Sequence, residues 1–338
     1  MKKIGFFGTK SWEKDYINAH KDKFKDCDLY FTEEIISKEH LSEKTDFDVL
    51  SVFVDSTISE EVITKLPNLK FIATRSTGFD HIDKKACEEK GIKVSYVPSY
   101  GENTVAEFAF ALLLSLSRKI YDGFDRIRET GSWSFDGLQG FDLKGKTIGV
   151  VGTGRIGRHS IRMAKGFDMK VVAYDPFPDE KYAKEAGVEY RSLDDLLKES
   201  DVVTLHVPYN KDTHHLIDER RLFIMKKGAV LINTSRGPVV ETQALVKALR
   251  EKHLGGAGID VFEEEGVAKD EMDFLISGKT EGHDLKTIIA NHILIDMPNV
   301  VLTPHNAFNT KEAIERILDT TIDNINGFLV GEVKNLIP

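Results

Sequence analysis

The chain has 338 residues, which at roughly 150 residues per domain corresponds to two domains. Hydrophobic residues make up 41% and charged residues 30%, a balance that excludes a disordered chain. The 46 Lys and Arg stand against 55 Asp and Glu, and the resulting net charge of −9 argues against nucleic acid and anionic membrane surfaces as partners.

The opening M-K-K-I-G-F-F-G-T-K places an apolar run behind a basic start. Only six residues separate Lys3 from Lys10, fewer than the roughly seven to fifteen of a signal core, so residues 4–7 read as a first strand. Further strands are predicted at 49–54, 71–74, 94–97, 148–151, 171–174, 202–205, 230–233, 258–261 and 300–303. These runs are apolar throughout rather than alternating, as strands covered on both faces must be. Helical periodicity lies between them, at 59–65, 155–165, 192–199 and 241–254, with Ser192 offering an N-cap ahead of Asp194 and Asp195. Regular alternation of strand and helix predicts a doubly wound α/β fold. The longest apolar stretch, 105–117, is short of the roughly 20 residues of a membrane span and contains Glu107; it reads as a buried helix. The pattern over 104–128 predicts one long helix that runs out at Gly-Ser-Trp-Ser-Phe-Asp-Gly (131–137), and a fresh strand follows at Thr147, so a domain boundary is expected within 101–145. The last helix, 311–328, could belong to either sheet. Two cysteines, Cys27 and Cys87, cannot frame a chain of this length, which points to reducing cytoplasm.

Four motifs carry chemistry. The first is Gly152-Thr-Gly154-Arg155-Ile156-Gly157, a G-x-G-x-x-G fed by the strand at 147–151 and opening a helix. In this context Gly152 permits the tight turn, Gly154 lets a pyrophosphate approach the backbone, and Gly157 allows close helix–strand packing. The helix N-terminus then binds the anion. Asp175, at the end of the next strand, suits the adenosine ribose hydroxyls and would repel a 2′-phosphate, which selects NAD over NADP. The second is Asn233-Thr-Ser-Arg236-Gly237 after a strand of the same sheet; Arg236 suits bidentate capture of a carboxylate, although a solvated surface Arg fits the same position. The third is Gly258-Ile-Asp260-Val-Phe-Glu263-Glu264-Glu265, which taken alone reads first as a solvated acidic loop. The fourth is Thr303-Pro-His305-Asn306. Together they supply NAD, a carboxylate clamp, a proton donor and an acid beside it, the parts that hydride transfer to a 2-keto acid requires.

The sequence resembles the D-isomer-specific 2-hydroxyacid dehydrogenases, and most closely their D-lactate branch. The resemblance runs essentially full length, through T-R-S-T-G-F-D-H-I-D (74–83), N-T-V-A-E (103–107), G-K-T-I-G-V-V-G-T-G-R-I-G (145–157), L-H-V-P (205–208), I-N-T-S-R-G (232–237), G-I-D-V-F-E-E-E (258–265) and T-P-H-N-A-F (303–308). It implies that Arg236 binds the 2-keto carboxylate and that His305 is the general acid, hydrogen-bonded and kept protonated by Glu265, which lies five residues after Asp260. It further implies that Asp260 sits on the nicotinamide side with Thr234 and Ser235, and that His206, Val207, Pro208 and Thr213 line the cofactor together with the 152–157 loop. Thr77 and Gly78 amides would complete the carboxylate site, with Tyr100 and Phe308 as walls. The implied architecture is two doubly wound parallel-sheet domains of Rossmann and flavodoxin-like type with a cleft between them. The substrate domain would be 1–101 completed by 308–338, and the NAD-binding domain 102–307, in a homodimer formed partly through the 104–128 helix. Domain closure would exclude water.

Two features depart from the family pattern or narrow it. Phe108 stands where a His often follows the Glu, on the hinge helix, where only a packing change is expected. Forty positions separate Glu265 from His305, including the polar stretch 267–292, and so long an insert resembles lactate-type members more than glyoxylate or phosphoglycerate types. A bulkier 2-keto acid of hydroxyisocaproate type is the alternative substrate. An NAD-sensing protein like the transcriptional corepressors on this scaffold is the alternative class, although this chain has no long disordered tail after 331–338. His214-His215 and the 263–265 acids raise a metal site, but adjacent histidines rarely converge on one ion and no H-E-x-x-H is present, so no metal is expected.

Overall fold

Apolar strands without alternation form two all-parallel sheets in the computed structural model, which describes residues 1–38, 40, 44–265 and 284–338. Met1–Gly101 and Asn309–Pro338 make one unit, and Glu102–Phe308 the other. No helix among the described residues is long and apolar enough to cross a membrane.

The first unit holds β1 (Lys2–Phe6), α1 (Ser11–Ala19), β2 (Cys27–Phe31), β3 (Val49–Val52), α2 (Glu60–Thr64), β4 (Phe71–Thr74), α3 (Lys84–Glu89) and β5 (Lys93–Ser95). Its sheet order is β2-β1-β3-β4-β5. One face packs Leu50, Val52, Ile63 and Ile72. The other packs Ile4, Phe6, Val49 and Phe71 against the C-terminal helix, whose Leu318, Ile322 and Ile325 are fully buried. That helix, Lys311–Val330, therefore belongs to the first sheet, and Phe328 stacks on Phe71 at 4.5 Å between ring centroids. At the carboxyl ends of the strands, the buried Arg75 guanidinium donates to the Phe7 and Gly8 carbonyls (2.7 and 2.9 Å) and to Ser51 Oγ (3.2 Å), tying three strand ends together beneath the 76–78 segment.

The second unit continues with α4 (Glu102–Ser117), α5 (Ile120–Thr130), β6 (Thr147–Val151), α6 (Arg155–Gly166), β7 (Lys170–Tyr174), α7 (Glu180–Ala186), β8 (Glu189–Tyr190), α8 (Leu193–Glu199) and β9 (Val202–Leu205). It ends with α9 (Glu219–Ile224), β10 (Val230–Asn233), α10 (Thr242–Arg250), β11 (Gly256–Ile259), α11 (Leu285–Ile295) and β12 (Val300–Leu302); the C-terminal helix is α12. The order β12-β11-β10-β9-β6-β7-β8 reverses direction at β6, and ligands of such sheets bind beside that point, at the carboxyl ends of β6 and β9.

The predicted long helix 104–128 is two helices. Lys119 is left-handed (φ 53°), and the Ser117 carbonyl that would have continued the ladder instead accepts the Phe141 amide at 2.8 Å. A Cβ on Gly140 would stand 1.9 Å from that carbonyl oxygen, so glycine alone lets the returning strap dock there. Phe108 packs against the core of the second unit. The expected 267–292 insert falls mostly outside the described residues, its end forming α11.

Because Ile322 is 1% exposed among β-sheet side chains, Ile322→Ala should destabilise the first unit by about 2–5 kcal/mol. Urea unfolding would show an earlier transition, and an unchanged midpoint would refute the packing role given to α12.

Candidate active site

The glycine loop follows β6, and each glycine answers to a different contact. Gly152 has φ 93°, and a Cβ there would lie 2.6 Å from the His206 carbonyl oxygen after β9. Gly157 would collide with the Gly152 carbonyl at 2.0 Å. Gly154, the N-cap of α6, meets nothing within 4 Å and has no side chain capping the helix amides. The first two positions close the turn and the third leaves it open to an anion. Arg155 starts the helix and pairs with Glu102 at 3.3 Å, while Ile156 is half-buried.

Asp175 follows β7 and is aligned by a residue that sequence reading passed over. Its Oδ2 accepts from the Thr153 amide (2.8 Å) and hydroxyl (3.1 Å), and its Oδ1 from the Phe177 amide (3.0 Å). Thr153 Oγ1 also lies 2.8 Å from the Tyr190 hydroxyl. A carboxylate has about four acceptor positions and three are taken, so capacity remains for one ribose hydroxyl.

On the other side of the switch point, the 206–216 loop is closed by Thr213, whose hydroxyl donates to the Pro208 carbonyl (2.7 Å) and accepts the Asn210 amide (2.8 Å). Val207 is buried and Pro208 exposed. The His206 ring turns into the fold, with Nε2 2.9 Å from Ser160 Oγ on α6 and 3.0 Å from Thr204 Oγ1. His206 and Thr204 are two residues apart on an extended segment and share a face, so the ring meets α6 rather than the crevice. Burial pushes this imidazole down to about 4, so it is neutral at neutral pH.

Arg236 sits after β10, in a turn built by Asn233. The Asn233 Oδ1 accepts from the Ser235 amide (3.0 Å) and hydroxyl (2.8 Å), and its Nδ2 donates to the Arg236 carbonyl (3.0 Å). Arg236 itself donates to the Ser235 carbonyl at 2.8 Å. The neighbouring Thr234 Oγ1 is buried without a hydrogen-bond partner among the described residues, an orphan of the kind a bound polar group satisfies.

His305 and Glu265 meet: Nδ1 lies 3.0 Å from Oε1 and 3.2 Å from Oε2, both side chains about one-quarter exposed. His305 is left-handed (φ 50°), a conformation costing on the order of 1–3 kcal/mol unless the surroundings impose it. Asp260 imposes it. Its carbonyl accepts the His305 amide (2.8 Å), and its carboxylate accepts Thr303 Oγ1 (2.6 Å), the Asn306 amide (2.8 Å) and the Ala307 amide (2.9 Å). Burial pushes the Asp260 carboxyl above its ordinary range, against the pull of these three donors. The structure places the Asp260 carboxylate under the His305 turn. Phe308 faces the His305 ring edge-on at 6.5 Å.

The remaining expected residues lie in the first unit. Thr77 donates its hydroxyl to the Val97 carbonyl (2.7 Å), and Ser76 Oγ donates to the Gly78 carbonyl (2.6 Å). Tyr100 carries its carbonyl to Arg316 Nε at 2.5 Å. Arg236, Glu265 and His305 are all residues of the second unit.

A dinucleotide-ready turn, a left-handed His paired with a Glu and an Arg in an Asn-built turn on one parallel sheet decide the class, and the comparisons agree. A family model described as "D-isomer specific 2-hydroxyacid dehydrogenase, NAD binding domain" matches residues 110–307. The chain belongs to the D-isomer-specific 2-hydroxyacid dehydrogenases. It is similar to the D-lactate dehydrogenase of Escherichia coli, 35% identical over 98% of both chains, and to a glyoxylate reductase of Pyrococcus furiosus, 38% identical over 97% of this chain and 93% of that one. Among solved structures it superposes on the Aquifex aeolicus D-lactate dehydrogenase complexed with NAD and lactic acid, with TM-score 0.83 and 38% identity over 99% of this chain and 98% of that one. The protein is thus an oxidoreductase of this family that uses NAD, and the open Gly154, the aligned Asp175 and the orphaned Thr234 hydroxyl fit that cofactor.

The neutral His206 makes a prediction about acid stability. Unfolded, the ring takes a proton near pH 6.5; folded, it resists to about pH 4, so the stability present above pH 6.5 is lost as pH falls between those values, by roughly 3 kcal/mol in all. His206→Gln should remove that part of the loss, read as a smaller difference between urea midpoints at pH 7 and pH 4.5. Equal differences in both proteins would contradict the neutral, buried ring.

Proposed function

We propose that the protein is a D-lactate dehydrogenase, reducing pyruvate with NADH to D-lactate. The observation that carries the mechanism is the His305–Glu265 pair, at 3.0 Å beside an Arg-bearing turn. Arg236 binds the substrate carboxylate with its guanidinium fork, which orients the 2-keto group. The Thr77 and Gly78 amides take the remaining carboxylate contacts, and Tyr100 and Phe308 bound the substrate. The cofactor-holding residues are Gly152, Gly154, Arg155, Ile156, Gly157, Asp175, Val207, Pro208, Thr213, Thr234, Ser235 and the His206 main chain. When bound, NADH would supply a hydride to the keto carbon. As the carbonyl π bond opens, its electron pair goes to oxygen and His305, with Glu265 on Nδ1, delivers a proton there from Nε2; a neutral imidazole remains and is reprotonated from solvent. The reverse sequence oxidises the hydroxy acid. The 40 positions between Glu265 and His305 support pyruvate over glyoxylate, and the relatives named for D-lactate support it further.

We also propose a cytoplasmic homodimer. Both cysteines are free thiols, and α5 buries none of its residues while exposing Ile120, Tyr121, Phe124 and Ile127 beside Trp133 and Phe135. Apolar groups so concentrated mark an association surface.

NADH consumption measured with pyruvate, phenylpyruvate, 2-ketoisocaproate, glyoxylate and hydroxypyruvate should show the highest kcat/KM on pyruvate, and NADPH should be a poor substitute. His305→Gln should lower kcat by about 10²–10⁴-fold. Preference for a bulky acid or glyoxylate would change the substrate, and near wild-type turnover by His305→Gln would refute the mechanism. Phe124→Asp should shift a dimer to monomer in analytical ultracentrifugation; an unshifted species would place the interface elsewhere.

A further inference from the structure

Three acids follow Phe262, and the mechanism uses only the last. Glu264 is left-handed (φ 56°), which reverses the chain so that neighbouring side chains point to different groups. Glu263 points back into the unit. Its side chain is 14% exposed; Oε1 lies 2.7 Å from His215 Nε2, and Oε2 accepts the Thr242 amide in the first turn of α10 at 2.9 Å. Its carbonyl accepts Asn291 Nδ2 of α11 at 2.6 Å. One residue thus fastens the acidic segment to three separate elements.

The same segment lies flush on the residue after Arg236. A Cβ on Gly237 would meet the Phe262 carbonyl carbon at 2.0 Å and the Glu263 nitrogen at 2.5 Å, so only glycine admits the contact. His215 is fixed from its own side: it is left-handed (φ 47°), and its amide donates to the Pro238 carbonyl at 2.8 Å. It closes the 206–216 loop onto the turn that begins at Arg236, and the Ile217 amide continues the stitch to the Val239 carbonyl at 3.0 Å.

We propose that Glu263, held by His215 and the Thr242 amide, is the positioning residue that sets Glu265 against His305. The proposal rests on the catalytic reading of Glu265 given above. Two residues of chain reach at most about 7 Å, and the left-handed Glu264 removes most of the remaining freedom. Where Glu263 is anchored therefore decides where the Glu265 carboxylate can stand. Without the anchor, Glu265 samples positions away from His305 Nδ1, and the His ring loses its orienting partner. Arg236 keeps its Asn233-built turn, so carboxylate binding is spared.

A double-mutant cycle tests this, using pyruvate reduction at saturating NADH with thermal melts as a fold control. Glu263→Ala alone should lower kcat by about tenfold or more, with KM for pyruvate held within about threefold. In the Glu265→Gln background the same substitution should change kcat by less than about twofold, because the group through which it acts is gone. Equal losses in both backgrounds would overturn the proposal and leave the reading of Glu265 intact. A wild-type rate in Glu265→Gln alone would remove that reading, and the proposal with it. Should Glu263→Ala fail to fold, His215→Ala, which releases only Oε1, takes its place in the cycle with the same expectations.

Discussion

The site depends on one buried carboxylate. Asp260 gathers a hydroxyl and two amides from the 303–307 turn, and its carbonyl takes the His305 amide as well. A carboxylate at 1% exposure is costly, and each donor offsets part of that cost. The return is geometric: His305 is held left-handed, where an unsupported turn would relax, and its Nδ1 faces Glu265. β11 and β12 pair in parallel, Ala257 to Val300 through Ile259 to Leu302, so Asp260 and Thr303 leave the sheet side by side. The fold delivers the carboxylate and the turn that it organises to the same place.

A similar logic runs through the rest of the second unit. Asn233 builds the Arg236 turn, Asp175 accepts the Thr153 amide, and Thr213 closes the 206–216 loop; each uses a short polar side chain to satisfy main-chain groups that the strand ends leave unpaired. Functional side chains are placed by such brackets at the carboxyl ends of parallel strands, of which β9, β10 and β11 are buried along their whole length. Electrostatics follows the same division. His206, pressed against α6, is kept neutral inside the fold, whereas His305 pairs with Glu265 and its side chain is about one-quarter exposed.

Much of this was legible in the residues because the relevant physics is local. Apolar runs announced the buried strands, Ser192 announced the start of α8 and does accept the Asp195 amide, and the G-x-G-x-x-G spacing named two glycines that the packing requires, Gly152 and Gly157, and a third, Gly154, that stays open. What escaped has physical reasons. Cys27–Phe31 lies at a sheet edge and is half-exposed, so it lacks the apolar continuity of the other strands, and Glu189–Tyr190 is only two residues long. The break at Lys119 depends on Gly140, more than twenty residues away, and helical periodicity carries no trace of it. The ownership of α12 by the first sheet is a tertiary fact. At the site, Arg236, Glu265 and His305 could be named from motifs, but not the hold of the Asp260 carboxylate on the 303–307 turn, nor the capture of Glu263 by His215 across 48 residues of sequence.

The most direct test of this account is Asp260→Asn, which keeps the side-chain shape but replaces one acceptor oxygen with a donor; the Asn306 and Ala307 amides donate to different oxygens, so one of them loses its acceptor. Measured by NADH fluorescence titration and steady-state pyruvate reduction on the same protein, NADH affinity should stay within about threefold while kcat falls by about a hundredfold. Loss of NADH binding with an unchanged kcat at saturation would contradict it, and would make Asp260 a contact of the cofactor rather than the support of His305.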